Sequence, residues 1–205
     1  MVKQLLTACA ALAVASMAMT AEAAVVKTGG TAATGIVLTS PGIDTPQSNP
    51  AYFSGATTIG GDPIASDWTW STIDGALTPT AIYQFVFDLT GFDVASAVLE
   101  GIWGVDNFGT VKLNNNVISE LFAEPESNFR SLTSFGADLD ALFVAGVNTL
   151  IFEVSDGSGP PAAFRAAVRV TATEISEVPL PAALSLFIAG IGGLAFASAR
   201  RRQIA

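Results

Sequence analysis

The sequence contains no histidine, and its single cysteine, Cys9, lies close to the N-terminus. Catalytic triads that need histidine, and catalytic pairs of cysteine and histidine, are therefore excluded. Zinc sites built from histidine and cysteine are excluded for the same reason. A disulfide within the chain is excluded as well, because it needs two cysteines. The chemistry left for an enzyme is that of paired carboxylates.

Basic residues are also scarce. The whole chain has nine lysines and arginines against 18 aspartates and glutamates. Residues 24–177 alone have five basic and 17 acidic residues, a net charge of −12. This charge repels nucleic acids and anionic lipid surfaces, so we expect no nucleic-acid partner. It suits a soluble exported protein, a divalent cation or a neutral glycan.

The first 23 residues have the pattern of a secretory signal peptide. Lys3 supplies a short positive start, residues 5–19 form an apolar run, and Ala21-Glu22-Ala23 fits an A-x-A cleavage site. We predict cleavage after Ala23 and not a retained N-terminal anchor, because the run is short and ends in small residues. The mature chain would then lack Cys9 and contain no thiol.

The other end of the chain predicts a single transmembrane helix. Residues 182–199 are apolar and uncharged, and as a helix they would be about 27 Å long, enough for the hydrocarbon core of a bilayer. A basic tail follows, formed by Arg200, Arg201 and Arg202. Because basic residues stay on the cytoplasmic side, residues 24 to about 178 should face the periplasm or beyond.

Residues 178–205, VPLPAALSLFIAGIGGLAFASARRRQIA, resemble the C-terminal sorting signal of PEP-CTERM proteins in the variant that reads VPLPA. The resemblance makes residues 177–205 a sorting signal. It implies transient anchoring in the inner membrane and processing by exosortase, a membrane-embedded transpeptidase-like enzyme. The processed protein would then reach the cell surface or the extracellular space. The processing motif would be Val178, Pro179, Leu180, Pro181 and Ala182.

Residues 24–176 are long enough for one domain with a substantial core. Apolar and polar residues alternate in residues 81–90, 96–104, 147–154 and 162–173, the period-two pattern of strands with one buried face. Short strands at regular spacing, without a convincing amphipathic helix, predict an all-β sandwich. In residues 162–173, Phe164 should face the core, while Arg165 and Arg169 should face out.

Two further stretches resemble jelly-roll domains of the galactose-binding-like type. Residues 101–107, GIWGVDN, followed by residues 111–115, VKLNN, match a strand with tryptophan, an Asp-Asn turn and a strand ending in Leu-Asn-Gly. Asn115 replaces that last glycine. Residues 145–154, AGVNTLIFEV, match a later strand of the same domains. The resemblance implies a jelly-roll fold, which hosts lectins, accessory modules of enzymes and structural domains, and so implies no activity.

The candidate ligand-binding residues are Trp103, Asp106, Asn107 and Asn114. The pair Asp106-Asn107 is either a turn held by side-chain hydrogen bonds or an oxygen cluster for sugar hydroxyls or calcium, with Asn114 expected nearby across the hairpin. Calcium is the only cofactor that the pattern suggests, and no other metal site is predicted.

Two other groups each allow two interpretations. Trp68 and Trp70, two residues apart, should share one face of an extended segment, either in the core or as a platform for a sugar ring. The acidic residues Glu120, Glu124 and Glu126 belong either to a solvated loop or to a carboxylate pair for glycoside hydrolysis.

Three functions follow, from different classes. The main hypothesis is a non-catalytic protein of the cell surface or extracellular matrix, sorted by exosortase. The alternative is a carbohydrate-binding module that recognises exopolysaccharide, with or without calcium. A hydrolase that uses carboxylates is the third, and we expect no enzyme. Buried tryptophans would favour the first hypothesis, and exposed ones the second.

Overall fold

The computed structural model describes residues 22–33, 35–123, 127–138, 140–157 and 159–175. The predicted signal peptide up to residue 21, the two glutamates Glu124 and Glu126, and the predicted sorting signal lie outside the described residues. Within the described ranges, no helix is long and apolar enough to span a membrane.

The described residues form fourteen strands and one short 3₁₀ helix. The strands are β1 (Ala23–Gly30), β2 (Ile36–Leu38), β3 (Ile43–Pro46), β4 (Thr58–Ile59), β5 (Asp62–Pro63), β6 (Thr69–Ile73), β7 (Ala76–Leu77), β8 (Thr80–Asp88), β9 (Phe92–Asp106), β10 (Phe108–Leu113), β11 (Asn116–Leu121), β12 (Thr133–Ala137), β13 (Val147–Ser155) and β14 (Ala163–Glu174). The 3₁₀ helix is Asp140–Leu142.

Two antiparallel sheets pack face to face. The larger has seven strands, in the order β12-β9-β14-β6-β3, with β1 also paired to β14 and β7 to β6. The smaller has the order β11-β10-β13-β8-β2, and β4 and β5 form a separate hairpin. The prediction of an all-β, jelly-roll-like sandwich is confirmed for the described residues.

The core between the sheets is rich in aromatic rings. Tyr83, Phe85 and Phe87 of β8 alternate into it, as the period-two pattern predicted. Phe164 of β14 lies near the middle, with its ring centroid 4.7 Å from that of Tyr83 and 5.0 Å from that of Phe152. Burial of these rings is the main stabilising contribution to the sandwich.

The outer face of β14 differs from the prediction. Arg165 and Arg169 point away from the core, but residues 51–68, here named the cover segment, fold over them. Arg165 is only 6% exposed, and its guanidinium donates hydrogen bonds to Ser66 Oγ and to the carbonyls of Phe53 and Gly55. The alternation predicted correctly which side of β14 each residue faces. It could not predict that another part of the chain packs over the outer side.

The first and last strands of the described chain are neighbours. Ala23 of β1 pairs with Thr173 of β14, and Gly30 pairs with Ala167. The sequence of β1, AAVVKTGG, lacks the alternation of polar and apolar residues that marks the longer strands.

Candidate functional site

Two neighbouring cavities open at the end of the sandwich where β9 leads into β10. Their volumes are about 440 and 180 Å³, and Asn49 and Tyr52 line both. We name the combined depression the loop-end groove. Its main lining residues are Gln47, Ser48, Asn49, Tyr52, Phe53, Ser54, Asp67, Trp68, Asp106, Asn107, Phe129 and Arg165.

An aromatic cluster forms the wall of this groove. The ring centroid of Tyr52 lies 4.8 Å from that of Trp68 and 5.7 Å from that of Phe129. These three rings are buried, and Trp68 Nε1 donates a hydrogen bond to the Phe53 carbonyl at 2.8 Å. Phe53 is half-buried, and the guanidinium of Arg165 lies over its ring, 6.0 Å from the centroid.

Asp106 lies buried beneath the aromatic cluster. Tyr52 donates its hydroxyl proton to Asp106 Oδ2 at 3.0 Å, and Asn107 Nδ2 donates to Oδ1 at 2.7 Å. Burial, the charge of Asp106 and this hydrogen bond raise the pKa of Tyr52 well above its usual value. Tyr52 is therefore a neutral donor at physiological pH.

Asn107 holds three backbone segments together. Its Oδ1 accepts a hydrogen bond from Gly157 N at 2.9 Å, its own N–H donates to the Ser155 carbonyl at 3.1 Å, and its carbonyl accepts from Asn128 Nδ2 at 2.8 Å. These contacts are those expected of a turn held by side-chain hydrogen bonds. Asp106 and Asn107 nevertheless line the smaller cavity.

The other two candidate residues do not lie at this groove. Trp103 is fully buried between the sheets, where its Nε1 donates to Ser119 Oγ at 3.0 Å. Asn114 follows the far end of β10, a strand of six residues that spans roughly 20 Å. The expectation that Asn114 lies near Asp106 and Asn107 is therefore wrong, because the whole strand separates them.

Asn114 instead forms the predicted hairpin turn, with φ values of 47° at Asn114 and 69° at Asn115. Its Nδ2 donates to Asn148 Oδ1 at 2.8 Å and to the Leu142 carbonyl at 2.9 Å. Its Oδ1 accepts from Thr149 N at 3.0 Å. Asn114 therefore links the hairpin to the start of β13.

All three tryptophans are buried, with exposed fractions of 7% for Trp68 and 0% for Trp70 and Trp103. Trp70 belongs to the main core, whereas Trp68 packs over the outer face of the larger sheet at Gly104. The prediction that Trp68 and Trp70 share a face is wrong, because Trp68 precedes the first residue of β6. The core interpretation is confirmed for Trp70, whereas Trp68 is buried in a separate cluster that lines the groove.

Within the described ranges, no group of three or more histidine, cysteine or acidic side chains is arranged to hold a metal ion. Glu120 lies exposed on β11, at the edge of the smaller sheet and away from the groove. The groove can thus bind a ligand through aromatic surface and uncharged polar groups.

Two residues of the groove, Asn49 and Phe53, were not predicted from the sequence. The signal that could have found them is the adjacent aromatic pair Tyr52-Phe53, which lies in a loop rich in serine, asparagine and proline.

No protein-family model matches the chain, and no curated protein sequence matches it. Among solved structures it is similar to a family 35 carbohydrate-binding module from an environmental isolate, with 15% identity over 70% of this chain and 91% of that one, at a TM-score of 0.40. It is also similar to the CBM35 from Cellvibrio japonicus Abf62, with 15% identity over 73% of this chain and 100% of that one, at a TM-score of 0.39.

A third similar structure is a β-glucosidase from Kluyveromyces marxianus in complex with glucose. The identity is 14%, over 58% of this chain and 15% of that one, and the TM-score is 0.33. Similarities this distant assign no ligand to the present chain.

Proposed function

We propose that the sandwich is a non-catalytic carbohydrate-binding module whose site is the loop-end groove. The observation that carries this proposal is the combination of a half-buried ring, Phe53, with uncharged polar side chains around an open cavity. The apolar C–H face of a sugar ring packs on aromatic surface, and its hydroxyl groups need hydrogen-bonding partners around that surface.

The size and the rim of the groove support this function. Its larger cavity, about 440 Å³, falls within the usual range of small-ligand sites, roughly 300–1,000 Å³. The side chains of Gln47, Ser48, Asn49 and Ser54 offer amide and hydroxyl groups along one side. These groups can both donate and accept hydrogen bonds, as sugar hydroxyl groups do.

The charges of the groove favour a neutral glycan. Asp67 and Asp106 line it, and the guanidinium of Arg165 is committed to the cover segment. Burial lowers the pKa of Arg165, and the charge of Asp67 opposes that shift. A polymer rich in uronic acids would meet negative charge both here and over the whole domain.

Affinity electrophoresis and calorimetry on residues 24–176 would test this function. The probes are xylan, mannan, β-1,3-glucan, galactan and the anionic polymer alginate, each with calcium and with a chelator. We expect binding to at least one neutral polysaccharide. Phe53→Ala should weaken it about fivefold, because loss of one stacking contact costs about 1 kcal/mol.

Ile43→Ala is the matched control, since Ile43 is highly exposed on the nearby strand β3 and lies outside the groove. It should leave binding unchanged. No binding to any of the five polymers would overturn the proposed function, and so would equal binding by Phe53→Ala and the unaltered protein.

We further propose that the protein is exported and delivered to the cell surface or matrix by exosortase. Burial of all three tryptophans supports a role of the sandwich as a matrix component. The signal-peptide pattern and residues 178–182 support the route. The intact mass of the extracellular protein tests it, because an exported chain that still ends in Ile204-Ala205 contradicts processing.

A further inference from the structure

The outer face of the smaller sheet carries the most exposed aromatic ring among the described residues. Phe122, directly after β11, is 57% exposed. It stacks on the half-buried Phe108 of β10, with ring centroids 6.5 Å apart and an interplanar angle of 26°. Phe108 is in turn packed against Gly157. The Phe122 ring is therefore the exposed part of this stacked pair.

A cavity of about 320 Å³ lies beside Phe122 on the same face. The strand register builds it: Thr110 of β10 pairs with Glu153 of β13, which pairs with Ile82 of β8. In the next row, Ser155 of β13 lies between Phe108 and Thr80. The cavity therefore has an aromatic wall, a floor of hydroxyl groups and an acidic side.

The polar groups of this cavity are available for a ligand. No hydrogen bond joins the hydroxyls of Thr80, Thr110 or Ser155 to another described residue. Glu153 Oε2 accepts a hydrogen bond from Lys112 Nζ at 2.6 Å, which fixes the carboxylate at the edge of the cavity. Thr80 is exposed and Ser155 is half-buried, whereas Thr110 is buried. An exposed aromatic ring, the two accessible hydroxyls and a carboxylate match the apolar face and the hydroxyl groups of a pyranose ring.

We infer that this surface, here named the sheet-face site, is a second glycan-binding site. The inference rests on the proposed function, because it assigns the same ligand class to a second place on the molecule. The two sites use different residues, and their main cavities lie on the outer sides of different sheets. They adjoin at the end of the sandwich, where Asn107 N of the groove donates to the Ser155 carbonyl at 3.1 Å. Trp68, in the wall of the loop-end groove, contacts the outer face of the larger sheet at Gly104, whereas Phe122 lies on the smaller sheet.

Opposite placement has a consequence for assembly. The aromatic rings of the two sites, Phe53 and Phe122, lie on the outer sides of different sheets, and packed sheets are about 10 Å apart. Two different polysaccharide chains can therefore bind to one molecule at the same time. A divalent module of this kind links chains into a network, and its avidity for a polymer exceeds that of either site.

The experiment uses residues 24–176 and the polysaccharide that binds most tightly among the five polymers named above, together with a hexasaccharide cut from it. Calorimetry with the hexasaccharide should give two equivalents per protein, and light scattering should show that the protein crosslinks the polymer. Phe122→Ala should reduce the stoichiometry from two to one and abolish crosslinking. Glu153→Gln, which keeps the side-chain shape, should weaken the second site about tenfold.

Val147→Ala is the control, because Val147 is more exposed than Phe122 and lies at the far end of β13, outside the cavity. It should change neither readout. Sedimentation must show a monomer, since a dimer with one site per chain could also crosslink.

The outcomes separate the two proposals. One equivalent of hexasaccharide, lost in Phe53→Ala and kept in Phe122→Ala, overturns the sheet-face site and leaves the loop-end groove intact. Crosslinking that follows dimer formation also overturns the sheet-face site. No binding to any polymer overturns both sites.

Discussion

Asn148 uses the full hydrogen-bonding capacity of its side chain inside the protein. Its Oδ1 accepts from Val144 N at 2.9 Å and from Asn114 Nδ2 at 2.8 Å. Its Nδ2 donates to the carbonyls of Val144 at 2.7 Å and Gly146 at 2.9 Å. A fully buried amide with four partners fixes the loop before β13 and, through Asn114, the β10–β11 hairpin.

We predict that Asn148→Leu lowers the free energy of unfolding by about 3 kcal/mol, because it leaves several buried polar groups without partners. Urea denaturation of residues 24–176 measures this. Asn116→Ala, at an exposed position of the same hairpin, should cost less than about 0.5 kcal/mol. Equal stability of the two variants would show that the Asn148 network contributes little.

Asn114 and Asn148 also show how much of the structure could be predicted from the sequence for single residues. The resemblance to jelly-roll domains included both Asn114, in the Leu-Asn turn, and Asn148, in AGVNTLIFEV. Their mutual hydrogen bond could not be predicted, since 34 positions separate them in sequence. A ligand-binding role was predicted for Asn114, yet its polar atoms bind the protein itself.

Among the elements, the cover segment has the largest effect on the groove. It supplies Tyr52, Phe53 and Trp68, and Gly60 and Gly61, with φ values of 59° and 86°, form the tight turn between its two short strands. Apolar alternation predicted the long strands because every second residue of each is apolar and faces the core between the sheets. The cover segment has strands of only two residues, and short strands of this kind leave no periodicity to detect.

Arg165 fastens the cover segment to β14, so Arg165→Met should release it. We expect hydrogen exchange of the amides in residues 53–66 to accelerate at least tenfold, and the free energy of unfolding to fall by about 2 kcal/mol, because three hydrogen bonds are lost. The amides of β8 serve as the internal reference. Arg165→Lys keeps the charge but not the planar fork, and should give an intermediate rate. Unchanged exchange in Arg165→Met would contradict the fastening role.

At the scale of the whole molecule, both tyrosines of the chain report on global unfolding. Tyr52 donates to Asp106, and Tyr83 donates to Asp44 Oδ1 at 3.2 Å. Burial, followed by the neighbouring carboxylate, raises the pKa of each phenol above its usual value. In the unfolded chain both should ionise near pH 10.

The sign of the pH dependence follows from these shifts. A raised pKa in the folded state gives stability that is fully present below about pH 10 and is lost as the pH rises further. We therefore predict that tyrosinate absorbance does not develop in the folded protein at about pH 10, and that both phenols ionise together when the sheets unfold. Circular dichroism followed in parallel provides the comparison. Ionisation of one tyrosine before unfolding would contradict the prediction.

The position of β14 also sets the timing of folding. This strand lies in the middle of the larger sheet, between β9 on one side and β1 and β6 on the other, yet it is the last strand of the described chain to be synthesised. Ala23 and its partner Thr173 are 150 positions apart, a delay on the order of ten seconds at ribosomal speed. Until β14 is made, β1, β6 and β9 each lack it as a partner strand, so the larger sheet closes only after translation has passed β14. A chain built in this order cannot complete the larger sheet until its final strand arrives, and a sheet that is incomplete is easier to unfold for passage through a narrow protein-conducting channel.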